Sequence, residues 1–148
     1  MKITKKSEYA LRALVEIGLN NGNRVIRAQD IAEKEELSVK FLEQVLLPLK
    51  NRGILQTRRG VAGGYLLNRP PEKITVAEVI RIVDGALAPV GCVSETAYTP
   101  CGRNENLCAL KTVMAEVRKA IVEVLERTTL ADMCRRAQEL QEKWDKTH

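Results

Sequence analysis

The chain has 148 residues, 45% of them hydrophobic, 29% charged and only 3% aromatic. That length suits one domain with a real core, or a small domain with an appendage, and with so few aromatics the core has to come from Leu, Ile, Val and Ala, which favours helices over a β-sandwich. The net charge of +5 is lopsided, with 14 Lys/Arg against 8 Asp/Glu in residues 1–73 and 10 against 11 in residues 74–148, so the first half reads as a polyanion-binding module.

The opening run Met1-Lys2-Ile3-Thr4-Lys5-Lys6 has no apolar h-region, and no later run approaches a membrane span. A cytoplasmic location is expected. A first helix is predicted from Ser7 as its N-cap, with Glu8 in the first turn, Leu11, Leu14, Val15 and Gly18 at helical spacing, and Asn21-Gly22 as its end. A short helix over Ala28 to Glu35 buries Ile31 and Ala32, with a weakly specified start at Arg27. Ser38 caps a third helix, Leu37 and Leu42 form a staple, and Leu42, Val45, Leu46 and Leu49 make a buried stripe. Lys40, Glu43, Gln44 and Leu47 fall on the opposite face, and Pro48 is expected to kink or shorten this helix.

Two short helices joined tightly, the second with a polar face, have the form of a helix-turn-helix, although solvated polar faces are common. The next segment strengthens that reading. Strands are predicted over Ile54–Thr57 and Tyr65–Leu67, separated by Arg58-Arg59-Gly60-Val61-Ala62-Gly63-Gly64, which is too glycine-rich for a strand and suits a hairpin tip. Arginines at such a tip can contact phosphates or enter a narrow minor groove. Thr75 to Glu78 then reads as a capping box with an Ile74/Val79 staple, opening a helix that runs through Val83 and stops at Gly85.

After the linker Ala86 to Gly91, three of the four cysteines, Cys92, Cys101 and Cys108, fall in one loop with Gly and Pro. Thiolates on a loop between helices suit a soft metal or an iron–sulfur cluster, and in a reducing compartment they are read as ligands or redox thiols before structural disulfides. The stretch from Cys108 to Arg127 is predicted as one long helix of about 30 Å, with Leu110, Val113 or Met114, Val117, Ile121 and Val124 spaced near 3.5 residues. Such a seam packs along another helix, and a second copy of the chain is the expected partner. Thr129 to Asp132 caps a final helix with Leu130, Met133, Ala137, Leu140 and Trp144 as its seam. Cys134 on that face is read as a small apolar thiol, and His148, the only histidine, as no ligand.

The runs L-S-V-K-F-L-E-Q (Leu37–Gln44) and R-R-G-V-A-G-G-Y-L-L (Arg58–Leu67), followed by the cysteine loop, resemble the Rrf-two (Rrf2) family of IscR/NsrR-like bacterial transcription regulators. The resemblance extends over essentially the whole chain. It implies a mainly helical fold with a small β-hairpin wing: a winged helix-turn-helix DNA-binding domain (1–85), a cluster-binding loop (86–108), and a dimerisation helix with a C-terminal helix (109–148). It further implies a homodimer on palindromic double-stranded DNA, with Ser38, Lys40, Glu43 and Gln44 at the major groove and Arg58, Arg59 and Gly60 at the wing. An iron–sulfur cluster, 2Fe–2S ahead of 4Fe–4S, would sit on Cys92, Cys101 and Cys108.

The spacing departs from the best-known members, whose cysteines are closer together; here eight residues separate the first pair and six the second. Some members add a histidine three residues after the last cysteine, where this chain has Lys111, and an ammonium is no ligand. Glu8 matches a carboxylate that reaches the partner subunit's cluster in related members, although a helix-start glutamate also has an ordinary role at the macrodipole. Cys134, a small molecule or water are further options. Redox state, nitric oxide or iron–sulfur status would be the signal. Two other readings stand beside it: a metal-free thiol/disulfide repressor, and an interaction module whose loop binds zinc. An enzyme is not expected, because no nucleophile–base set, phosphate-binding glycine loop or paired carboxylates appear.

Overall fold

The first helix starts at Thr4. In the computed structural model, which describes residues 2–20 and 24–148, the Thr4 hydroxyl accepts from the Ser7 amide at 3.2 Å, and α1 runs Lys5–Leu19. Ser7 is not the cap. It lies one turn inside and is fully buried, because a small side chain is needed where α1 packs against α4. The Asn21-Gly22 stop falls outside the described residues.

The remaining helices are α2 (Ala28–Lys34), α3 (Val39–Asn51), α4 (Val76–Val83), α5 (Ala109–Arg127) and α6 (Leu130–Thr147). β1 (Leu55–Arg58) pairs antiparallel with β2 (Gly64–Leu67), with Leu55 opposite Leu67 and Arg58 opposite Gly64. Short 3-10 turns cover Pro71–Lys73, Gly91–Val93 and Glu105–Leu107. Mainly helical with a hairpin wing, the fold is the expected one. No described helix is long and apolar enough to cross a membrane.

The core gathers where α1, α3, α4 and β1 meet. Leu14, Ile17, Leu42, Leu46, Leu49, Ile54 and Ile74 are all at 0% exposure, each worth about 1.5–3 kcal/mol of burial. The predicted α3 stripe is fully inside, and Ser38 caps α3 by accepting from the Phe41 amide at 3.1 Å. Pro48 does not shorten α3, which continues to Asn51. Its missing N–H leaves only one rung of the ladder open, and burial of Leu46 and Leu49 on either side holds the turn.

Two long-range pairings hold elements to one another. Ile26 and Tyr65 exchange backbone hydrogen bonds at 2.8 and 2.9 Å, so the segment before α2 extends the hairpin by one residue. Thr75 also lies opposite Thr129, but here the neighbours make the bonds, Val76 N–H to the Thr128 carbonyl at 2.9 Å and Leu130 N–H to the Ile74 carbonyl at 2.8 Å, fastening the start of α4 to the α5–α6 corner. The capping box predicted at α4 is half formed: Thr75 accepts from the Glu78 amide, but the Glu78 carboxylate turns to Arg69 at 2.6 Å. At α6 the reciprocal box of Thr129 and Asp132 is complete.

α5 contains no buried residue. It packs on α4 and on the Gly91–Val93 turn, with Lys111, Ala115, Arg118, Val122 and Leu125 half-buried on that side. Its other side leaves Leu110, Val113, Val117 and Val124 between 38% and 61% exposed. α6 returns onto α1, burying Leu130, whereas Leu140 and Trp144 farther along its predicted seam stay exposed. His148 stacks on Trp144 with ring centroids 3.5 Å apart.

Candidate nucleic-acid interface and cysteine loop

The turn between α2 and α3 is tight because Glu36 takes a left-handed backbone (φ 57°) while Leu37 N–H reaches back to Ala32 at 2.8 Å. That sets α3 across the body with its stripe inward. Lys40, Glu43, Gln44, Leu47 and Lys50 then share one exposed face, as residues three and four apart must. The Ser38 oxygen is engaged in its cap, which leaves its O–H to donate outward.

The wing stands beside this face. Arg58 ends β1, and Arg59, Gly60 and Val61 form an exposed tip in which Gly60 (φ 101°) is left-handed and accepts from the Gly63 amide at 3.0 Å. Gly64 is required by close approach: a Cβ there would lie 2.1 Å from the Ile26 carbonyl oxygen. A groove of about 560 Å³ runs between wing and helices, lined among others by Arg27, Gln29, Glu43, Arg58 and Tyr65. Burial, and secondarily the Glu43 charge, pushes the Tyr65 phenol above its usual range.

A second groove along α3 is lined by Lys40, Glu43, Gln44, Leu47 and Lys50, and it shares Glu43, Thr57 and Tyr65 with the first. The predicted Lys40, Glu43, Gln44, Arg58 and Gly60 therefore line two adjoining grooves, with Arg59 at the wing's tip. Sequence reasoning missed Arg27, Gln29, Lys50 and Thr57, which line them too. Arg27 donates to Gln29 Oε1 at 2.5 Å. A cationic residue at a helix start that lacks a capping side chain was the available signal.

The cysteine loop is folded onto its own chain. The Gly91 carbonyl accepts from Ser94 and Thr99, and the Ser94 hydroxyl accepts from Ala97 at 2.9 Å. Glu95 reaches Arg118 of α5 at 3.0 Å. Tyr98 donates to Glu105 at 2.5 Å, and Lys111 stands 3.6 Å from the same Glu105 oxygen. The Glu105 bond raises the Tyr98 hydroxyl above the ordinary phenol range, followed by burial and by the charges of Glu105, Cys92 and Cys101. Tyr98 is thus within electrostatic reach of two of the three thiols.

Cys92 and Cys108 are half-buried and Cys101 is exposed. Among the described residues no three His, Cys, Asp or Glu side chains already converge on one point as metal ligands do, so a metal or cluster needs the loop to close. The donors themselves fit: three free thiols share the loop with Glu105, whose second oxygen is buried without a partner. Glu8 lies elsewhere, ion-paired to Lys5 at 2.9 Å. Lys5's hydrogen bond, opposed by burial, holds its carboxyl below the usual range. Cys134 packs its sulfur 3.8 Å from the Val15 carbonyl, where a Cβ on Gly18 would sit 2.7 Å away. Burial, then the Glu16 charge, pushes its thiol up.

Comparison with known proteins agrees with this architecture. The Rrf2 profile, described as an iron-dependent transcriptional regulator, matches residues 3–136. An Rrf2-like HTH-type transcriptional regulator of Rhodobacter capsulatus is 35% identical over 136 residues, 88% of this chain and 91% of that one. Among solved structures, CymR, the global cysteine regulator of B. subtilis, aligns with a TM-score of 0.76 at 31% identity, covering 90% of this chain and 96% of that one. T. potens IscR aligns at the same TM-score and identity, covering 95% and 91%.

Proposed function

Since the chain belongs to the Rrf2 family of transcriptional regulators, which are not enzymes, we propose that it acts as a homodimer on a palindromic operator and reports iron–sulfur, redox or nitric oxide status through its cysteine loop. The observation that carries the reading is that the exposed α3 face and the arginine-bearing wing line adjoining grooves. α3 enters the major groove, where Lys40, Glu43 and Gln44 read base edges and the Ser38 hydroxyl donates to a phosphate. Arg58, Arg59 and Gly60 bring the wing to the backbone or the minor groove. Residues 1–85 form the DNA-binding domain, 86–108 the sensing loop, and 109–148 the dimer-forming helices.

The exposed seam of α5 supports dimerisation, because apolar side chains at coiled-coil spacing favour a second helix over water. The family's description as iron-dependent and the three free thiols support a cluster on Cys92, Cys101 and Cys108. Such a cluster, when bound, supplies a charge and a set of cross-links that oxidants, nitric oxide or iron loss remove. The protein's part is transmission. The loop is braced on α5 through Glu95–Arg118, and α5 is joined to α4 through Arg81–Glu126 at 2.8 Å. Ordering the loop therefore bears on the spacing of two α3 helices that must meet half-sites ~34 Å apart.

The test is an anaerobic visible spectrum with iron and sulfide assays, followed by operator titration of loaded and stripped protein at one salt concentration. Colour, matched iron and sulfide, and unequal affinities are expected. Equal affinities sink the switch. A colourless protein that takes up neither iron nor sulfide leaves the thiols acting alone.

A further inference from the structure

The loop contains one more donor than the three cysteines. Glu105 lies between Cys101 and Cys108 and opens the 3-10 turn that Cys108 closes, the Cys108 amide donating to the Glu105 carbonyl at 3.3 Å. Its side chain is only 18% exposed. One carboxylate oxygen takes the Tyr98 hydroxyl and the Lys111 ammonium; the other is buried and has no hydrogen-bond partner. A buried carboxylate oxygen left without a donor is unfavourable, and in a loop that also carries three free thiols a bound cation would satisfy it. Tyr98 and Lys111 orient the carboxylate by its other oxygen, which is how outer partners fix a ligating carboxylate.

We propose that Glu105 is the fourth, oxygen ligand of the metal centre held by Cys92, Cys101 and Cys108, supplied by the same chain. The proposal rests on the cluster reading above and names its missing ligand. Glu8 also has a buried oxygen without a hydrogen bond, but it stands 2.9 Å from Lys5 on α1, outside the cysteine loop, whereas Glu105 shares the loop with the three thiols. Glu105 would hold the metal through its unpaired oxygen, while Tyr98 donates to the other. Coordination exchanges no electrons and releases no group from the protein. Lys111, at the place where some relatives carry a histidine ligand, then serves the centre through Glu105.

The test uses the full chain, reconstituted anaerobically with ferrous iron and sulfide. Wild type, Glu105→Gln, Glu105→Cys and Glu8→Gln are compared by visible circular dichroism, iron and sulfide content, and rate of iron loss to a chelator. Glu105→Gln is expected to lose iron about tenfold faster or more, with an altered spectrum. Glu105→Cys should restore retention with a new thiolate charge-transfer band, which a merely structural role would not produce. Glu8→Gln should behave as wild type. The proposal is overturned if Glu105→Gln matches wild type, or if Glu8→Gln alone shifts the spectrum. If wild type itself takes up no iron and sulfide, the cluster reading falls, and the ligand assignment with it.

Discussion

Glu36 holds a left-handed backbone (φ 57°), a conformation disfavoured for a residue with a Cβ by ~1–2 kcal/mol. Glycine avoids that strain but loses ~0.5–1 kcal/mol more chain entropy on folding. Strain outweighs entropy here, so Glu36→Gly is expected to stabilise the fold by about 0.5–1 kcal/mol, read as a higher denaturation midpoint at unchanged slope. An unchanged or lower midpoint means that the turn between α2 and α3 relaxes in solution. At the wing, Arg59→Ala should weaken binding on all DNA sequences alike and lower the slope of log affinity against log salt by about 1. Gln44→Ala should instead change which operator is preferred. Quantitative titrations at several salt concentrations separate the two, and a sequence-dependent Arg59 effect would place the arginine on a base edge.

The hairpin and the long helix make different demands as elements. Gly64→Ala drives a methyl into the Ile26 carbonyl, so the hairpin has to leave the segment before α2. A stability loss above about 1 kcal/mol is expected, with DNA affinity falling further because the wing moves. In α5, Val117→Asp sets a charge in the middle of the seam proposed to join two copies, and wild type is expected to sediment as a dimer where the variant is a monomer. A dimer that survives moves the interface off this face. The features legible in the sequence were the local ones: the Ser38 cap, the 42-45-46-49 stripe, the glycine-rich tip and the Thr129/Asp132 box all depend on residues within a turn of each other. What escaped depends on distant chain. Ser7 is a good cap by composition, yet it is buried because α4 lies against it. Glu78 leaves its box for Arg69, and Tyr65 pairs with Ile26 39 residues earlier. The proposed interface could be named from the sequence as far as α3 and the wing, whereas Arg27 and Glu105 became candidates only through neighbours that the fold supplies.

Across the whole molecule, one aspartate fastens the start of the chain to its middle and another caps the last helix. Asp84, at the end of α4, accepts from the amide and hydroxyl of Thr4, joining the start of α1 to the linker that leads to the cysteines. Burial alone would raise its carboxyl, but the Thr4 bonds outweigh burial and hold it below the ordinary 3.8. Asp132 is lowered likewise, first by the Thr129 amide and then by its hydroxyl, at the corner where α5 turns into α6. A carboxyl whose folded value lies below its unfolded one contributes stability in full above the unfolded value and loses it as pH falls through the folded one. Neither fastening therefore changes near neutral pH, and both are lost below about pH 4. Acid is expected to loosen α1 from the linker and to fray the start of α6, before the α3 core yields. Asp84→Asn with Asp132→Asn should flatten stability between about pH 4 and pH 2 while lowering it at pH 7, measured by urea denaturation across pH. A double variant with the wild-type acid limb would locate the acid-sensitive groups elsewhere, and the Thr4–Asp84 fastening would then have no part in holding the cysteine loop to the DNA-binding half.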